Sequence, residues 1–452
     1  MTGPSLDVIR NCLEGLVPAV VATCDPDGVP NVMMVSQVHY VDPERVALSY
    51  QFFNKTRSNM LSTRRAAVSV VDPLTNADYR LELEYEGTEA EGPLFESMKA
   101  KLAGIASHSG MHGVFRLLGA DIFRVRSIAQ APGPTRTPPQ EARNLLSAVR
   151  RTWAGLVAAR DLGELFDVTL EGLRRHFGVD HAMVLMLDAA ACCVYAVASI
   201  GYDRSGIGSE LALGAGVVGV AARERVPIRI GHMSSDYNYG AAVREQSRDH
   251  GLAGAVAAEI PYPGLEAPES QIAVPILAAG RTLGVIFAES PEPMRFRYDD
   301  EDALALIADR LGELIAAAQH DDAAPAQPDV ASPPVAAARP VHVRHYQADD
   351  SVFVDHDYLI KGVAGAIFWK LAREHAETGR VEFSNRELRL DPALRLPEHA
   401  ENLEARLVLL QRRLRERDRG IGIERCGRGR FRLDVPGPLR LEDVPAATQQ
   451  RA

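Results

Sequence analysis

The chain of 452 residues, 46% hydrophobic and 24% charged, is longer than one hydrophobic core usually supports, so about two to four domains are expected. A formal net charge of −10 argues against a nucleic-acid affinity spread over the whole surface, and no apolar run reaches the roughly 20 residues that cross a bilayer. The first sixteen residues mix acids with apolar residues and lack a basic stretch followed by an apolar one, so no secretory signal is read and a cytoplasmic location without a membrane partner is expected.

In chain order, helical pieces are predicted at 5–16, 57–64 and 94–108. Short β-rich runs at 19–23, 32–41, 46–49, 67–71, 79–92 and 122–127 are separated by turns such as Asp25-Pro-Asp-Gly28 and Asp42-Pro43. That spacing predicts an antiparallel barrel over residues 1–130. A Pro-rich stretch at 129–140 divides it from a unit at 141–320, which opens with a helix over 141–177, continues with strands at 182–187, 194–199, 227–230, 271–277 and 282–288, and closes with a helix at 300–318. Helix, antiparallel sheet and helix make an α+β layout. Residues 321–340, almost entirely Ala, Pro, Asp and Gln, read as a linker. A last unit at 341–440 has a helix at 362–375, the Ser384-to-Glu387 spacing of a capping box, and an apolar stripe of Leu403, Leu407, Leu410 and Leu414 before a basic hairpin.

The chemistry in the first unit lies in Asn54-Lys-Thr-Arg-Ser-Asn59. Lys55, Thr56 and Arg57 place two cations, a hydroxyl and backbone N–H groups at a helix start, the surroundings a phosphate monoester requires. Asn59, one turn on, can reach the same ligand. Asn31–Ser36 on the preceding hairpin, including Met34, Val35 and Ser36, can offer backbone groups to a flat polar ring, and Ser49 and Gln51 are further candidate cofactor-binding residues. The same turn also reads as a solvated helix cap. Together with Gly28-Val-Pro-Asn-Val-Met-Met-Val-Ser36, Val41-Asp-Pro-Glu-Arg-Val-Ala-Leu-Ser49 and Ala67-Val-Ser-Val-Val-Asp-Pro73, it resembles the pyridoxamine 5′-phosphate oxidase-like split barrel over roughly residues 10–130. The resemblance implies a homodimer with FMN in the cleft between subunits and its phosphate on Lys55, Thr56 and Arg57. Members of that family bind FMN, deazaflavin or haem, or have lost the ligand, so catalysis is not implied.

His108 and His112 have a spacing that can put two imidazoles on one helix face, but Gly110 and Gly113 favour a loop, and no metal is expected. Five scattered cysteines without a CxxC pair read as reduced thiols. The vicinal Cys192 and Cys193 read as strand residues, with a redox switch as the lesser alternative.

The middle unit carries Ala198-Ser-Ile-Gly-Tyr202, the glycine-containing Leu213–Arg229 segment, Ala273-Val-Pro-Ile-Leu277 and Leu283-Gly-Val-Ile-Phe-Ala-Glu289. These blocks resemble a GAF domain over about 145–318. The resemblance makes 214–219 a helix-opening turn, not a nucleotide loop, and implies an unknown small molecule beneath Tyr237, Tyr239, Arg244 and the loop to Ser270, or a GAF fold without ligand.

Charge reverses after residue 340. Between 411 and 433 stand Arg412, Arg413, Arg415, Arg417, Arg419, Arg425, Arg428, Arg430 and Arg432 against Glu416, Asp418 and Glu424. With the helix order before it, this segment resembles response-regulator winged-helix domains over about 350–435. The resemblance makes Asn402 and Arg406 candidate base readers and Arg412, Arg413, Arg428 and Arg430 phosphate contacts; the alternatives for the same arginines are a solvated helix face with a hairpin, or a contact with another protein. Glu398, Glu401 and Glu404 depart from that pattern by crowding the helix start with negative charge. The combined expectation is a multidomain, dimeric flavin-binding sensor that regulates transcription by binding DNA, built as antiparallel split β-barrel, then α+β GAF domain, then winged helix. The alternative is an FMN-dependent oxidoreductase regulated by its GAF and C-terminal parts.

Overall fold

The computed structural model describes residues 3–13, 17–35, 38–50, 54–108, 117–137, 143–231, 260–320, 340–394, 403–417, 420–427 and 429–445. The first unit holds β1 (Ala19–Cys24), β2 (Pro30–Val35), β3 (His39–Asp42), β4 (Arg45–Tyr50), α1 (Lys55–Thr63), β5 (Arg65–Val71), β6 (Asp78–Glu89), α2 (Pro93–His108) and β7 (Gly119–Gln130). Its strands form one antiparallel, barrel-like sheet in the order β2-β1-β5-β6-β7-β4-β3. Alternate residues point inward, and Val21, Val46, Val68, Leu81 and Phe123 fill the interior. The helix expected at 5–16 is instead a 3-10 turn, Arg10–Leu13. Leu6, Ile9, Cys12 and Leu13 are buried against the barrel. The single strand expected at 32–41 is two strands, β2 and β3.

The middle unit begins with α3 (Leu145–Ala158) and α4 (Leu162–Phe177), where one long helix was expected. Ala159 turns extended and the Asp161 side chain accepts from the Glu164 amide at 2.9 Å, capping a new helix. The strands β8 (His181–Asp188), β9 (Cys193–Ile200), β10 (Glu210–Ala212), β11 (Ile228–Ile230), β12 (Ser270–Ala278) and β13 (Arg281–Ser290) form a sheet in the order β10-β9-β8-β13-β12-β11. Helices α3, α4 and α6 (Tyr298–His320) cover one face of this sheet, and α5 (Gly216–Glu224) lies on the other. Gly214 and Gly216 are left-handed (φ +84° and +61°), and a Cβ on Gly219 would meet the Ala212 carbonyl oxygen at 2.3 Å. Residues 214–219 are therefore a tight helix-opening turn.

After residue 340 come β14 (Val341–Tyr346), β15 (Ser351–Val354), β16 (Asp357–Ile360), α7 (Gly362–Thr378), β17 (Glu382–Ser384), α8 (Asn385–Leu390), α9 (Leu403–Arg417), β18 (Gly422–Gly427), β19 (Arg430–Asp434) and β20 (Leu439–Val444). They build a sheet β16-β15-β14-β20 and a smaller one, β17-β19-β18. The capping box forms as expected: Ser384 Oγ accepts from the Glu387 amide at 3.3 Å, and Glu387 Oε2 accepts from the Ser384 amide at 3.1 Å. The three strands before α7 are an addition to the expected helices.

The units are tightly joined. The Arg10 guanidinium lies between the rings of Tyr40 on β3 and Tyr298 at the start of α6, 4.6 and 3.9 Å from their centroids. Ala100 of α2 is buried in the apolar cluster that α5 and β11 form beneath the middle sheet. No helix among the described residues is long and apolar enough to cross a membrane.

Candidate functional site

The turn between β4 and α1 borders a cavity of about 180 Å³ lined by residues that include Met34, Val35, Ser49, Tyr50, Thr56, Arg57 and Asp121. Helix α1 starts there because Asn54, extended, uses its side-chain oxygen to accept from the Arg57 amide at 2.9 Å. The amides of Lys55 and Thr56 are left outside the helical ladder. Thr56 is buried, and its hydroxyl oxygen accepts from Asn31 Nδ2 at 2.7 Å, so its proton remains available to a ligand.

Arg57 is held from three sides. Its Nε donates to Asp121 Oδ2 at 3.1 Å, Nη2 donates to Thr88 Oγ1 at 3.2 Å, and the guanidinium stacks on Tyr50 at 3.7 Å. Thr88 also donates to Asp121 and shares a hydrogen bond with Tyr85. Among the described residues Nη1 of Arg57 has no hydrogen-bond partner, so the rigid fork presents one donor edge to the cavity while its position is fixed.

Of the residues expected to hold the cofactor, Met34, Val35, Ser49, Thr56 and Arg57 border this one cavity. Lys55 is exposed at its edge and is not part of the lining. Asn59 does not reach the cavity: it is buried, and Nδ2 donates to Thr23 Oγ1 on β1 at 3.2 Å, because its place in α1 faces the barrel wall. Ser36 and Gln51 lie outside the described residues. The expectation missed Asp121 and Tyr50, and took Asn31 for its backbone and not for the side chain that holds Thr56. A lone acid in the apolar run Gly119-Ala-Asp-Ile-Phe123 was the available signal, since a buried carboxylate needs a cationic partner.

The donor set therefore fits a flavin phosphate: a fixed guanidinium edge, a buried hydroxyl, two helix-start amides and a nearby lysine. The open edge of β2, with Met34 exposed, offers backbone and apolar surface for a planar ring.

In the middle unit Tyr237, Tyr239 and Arg244 lie outside the described residues. Glu289 is buried at the end of β13, accepting from the Leu265 amide at 2.9 Å and Gln271 Nε2 at 3.0 Å, and burial raises its pKa above the usual carboxylate value. Among the described residues no cluster of His, Cys, Asp and Glu could hold a metal ion. His112 and the surroundings of His108 lie outside them.

Cys192 is exposed and Cys193 buried, with burial pushing the Cys193 thiol up to about 12 and the Cys12 thiol likewise to about 12. Since the thiolate is the reactive form, iodoacetamide at neutral pH is expected to label Cys192 and leave Cys12 and Cys193 unmodified in the native protein, as read by peptide mass spectrometry. Equal labelling of Cys193 would show that this strand opens.

The candidate nucleic-acid residues divide differently. Asn402 and Arg428 lie outside the described residues. Arg430 is half-buried on β19. Arg406, Arg412 and Arg413 are not on a free surface, because α9 lies against the middle unit. Arg406 is buried, donates to Asp188 and stacks over Tyr195 at 3.9 Å. Arg412 donates to the carbonyls of Val197 and Gly163 and to Asp167 Oδ1 at 2.9, 3.0 and 2.7 Å. Arg413 donates to the Leu359 carbonyl at 3.0 Å and to Glu416 at 2.7 Å, and burial pulls its pKa below the ordinary value.

Residues 6–128 match the family described as pyridoxamine 5′-phosphate oxidase, and residues 161–315 match the GAF domain. No curated protein matches the chain. Among solved structures, the GAF domain of an Acinetobacter phosphoenolpyruvate-protein phosphotransferase is similar at 20% identity and a TM-score of 0.32, over 40% of this chain and 98% of that one. Free methionine-R-sulfoxide reductase from Neisseria meningitidis, solved with its substrate, is similar at 17% identity and a TM-score of 0.31, over 41% and 95%. An FMN-binding protein from Syntrophomonas wolfei subsp. wolfei is similar at 17% identity and a TM-score of 0.24, over 28% and 92%. The chain thus carries a pyridoxamine 5′-phosphate oxidase-type domain over residues 6–128, followed by a GAF domain over residues 161–315.

Proposed function

We propose that this protein is a flavin-binding sensor that works as a homodimer and regulates transcription through a winged-helix C-terminal unit. The observation that carries the flavin part is that Arg57, fixed by Asp121, and the buried Thr56 line the same barrel cavity. FMN supplies a redox-active ring when bound. The chain's own contribution is to grip the phosphate through Thr56, Arg57 and the helix-start amides, with Lys55 adding charge from outside. Val20, Val32 and Met34 are exposed side chains on neighbouring strands β1 and β2, an apolar surface beside the cavity suited to burial under a second barrel.

The winged-helix part rests on the order α7, β17, α8, α9 and the β18–β19 hairpin, with exposed Arg415 adding positive charge on α9. The test of the flavin part is the visible spectrum of the purified protein and a titration with FMN followed by flavin fluorescence. Flavin absorbance, or saturable quenching at one FMN per chain, is the expected result. A colourless protein that takes up no added FMN would overturn it. Multiple turnovers of NAD(P)H by the flavin-loaded protein would shift the reading to an oxidoreductase.

A further inference from the structure

Helix α9 carries arginines suited to phosphate, yet it is covered from both sides. Its own unit packs on it through α7, α8, β16 and β18, and α4 and β9 of the GAF domain close the other side. One continuous apolar cluster runs from Phe166 and Tyr195 in the GAF domain to Leu409 and Leu410 in α9.

Among the described residues four ion pairs cross this seam, all with the same polarity. Arg406 meets Asp188, Arg412 meets Asp167 at 2.7 Å, and Arg425 meets Asp161 at 3.4 Å. Lys361 meets Glu210 at 3.2 Å. Each cation belongs to the C-terminal unit and each carboxylate to the GAF domain. A guanidinium edge that is bonded to a carboxylate is not available to a phosphate oxygen.

We infer that the GAF domain is an intramolecular competitor for DNA, holding α9 through Asp161, Asp167 and Asp188 so that DNA binds only molecules in which this seam has opened. The inference rests on the DNA-binding reading above. Apparent affinity then equals the intrinsic affinity reduced by the open fraction. Any ligand that fits one arrangement of α4 and β9 better than the other changes that fraction, which gives the sensor its output.

The experiment uses the full chain with the exposed thiols removed (Cys192→Ser, Cys426→Ser) and a fluorescein-labelled random-sequence duplex at low salt, where phosphate contacts dominate. Two changes release the seam: Asp167→Lys, at an exposed carboxylate where folding is not at risk, and Asp188→Asn. A third variant locks it: Gly163→Cys with Val408→Cys, positions where a Cβ on residue 163 lies 3.7 Å from a Val408 methyl.

The released double variant is expected to bind the duplex at least tenfold more tightly than the parent, and to crosslink more slowly when the cysteine pair is added to it. The locked form is expected to bind at least tenfold more weakly when oxidised than when reduced. Equal affinities for parent, released and locked forms would overturn the competition and leave DNA binding standing. Absence of binding by every form would overturn the DNA-binding reading itself, and the competition with it.

Discussion

Arg57→Ala is expected to weaken FMN binding by about a hundredfold, as measured by quenching of flavin fluorescence. Truncating one member of a buried charged contact costs about 2–5 kcal/mol, and about 1.4 kcal/mol is tenfold in affinity. The change acts twice. It removes the donor edge that faces the cavity, and it leaves Asp121, whose side chain is only 6% exposed, without its cation. An unpaired buried carboxylate destabilises the fold, so urea unfolding of the ligand-free variant is expected to show a loss of about 3 kcal/mol. Arg57→Lys separates the two effects: it restores charge beside Asp121 but not the planar fork, so it should recover stability more fully than affinity. An Arg57→Ala protein that binds FMN as tightly as the parent would place the phosphate elsewhere.

Glu404→Ala is expected to destabilise the C-terminal unit by about 2 kcal/mol, because it leaves the buried Asn385 amide without its acceptor and removes the carboxylate beside Arg389. Glu404 is buried at the start of α9, where Oε1 accepts from Asn385 Nδ2 at 3.2 Å and from Arg389 Nη2 at 2.8 Å. It ties α9 to α8. Glu404→Gln keeps an acceptor for Asn385 and should lose less than half as much. Thermal unfolding followed by circular dichroism reads both. A neutral Glu404→Ala would mean that water satisfies Asn385 and Arg389. The negative charge of Glu404, unexpected at the head of a recognition helix, is thus an internal brace.

The barrel and the GAF sheet were legible in the sequence because their strands alternate or run apolar between clear turns, and because the Lys-Thr-Arg turn follows a strand directly. The break between α3 and α4 was marked by Asp161 and Glu164, a capping signal hidden inside an otherwise continuous apolar stripe. Val341-His-Val-Arg-His-Tyr346 has the period-two pattern of β14, but its alternation is short and directly follows the Ala/Pro stretch at 321–340. Asn59 was misplaced because one turn of separation from Thr56 does not say which side of α1 meets the barrel. Least legible was the burial of Arg406 and Arg412. A run of arginines reads as a solvated or nucleic-acid face until the acids that neutralise it are known, and Asp188 and Asp167 stand more than two hundred residues earlier in the chain.

The placement of Ala100 among Val217, Val218 and Val220 means that the barrel's own helix completes the underside of the neighbouring sheet. A polypeptide trimmed to residues 161–315 would bare that apolar floor to water and gain nothing in exchange. The middle unit of this molecule is thus expected to need α2 of the barrel to keep its underside covered.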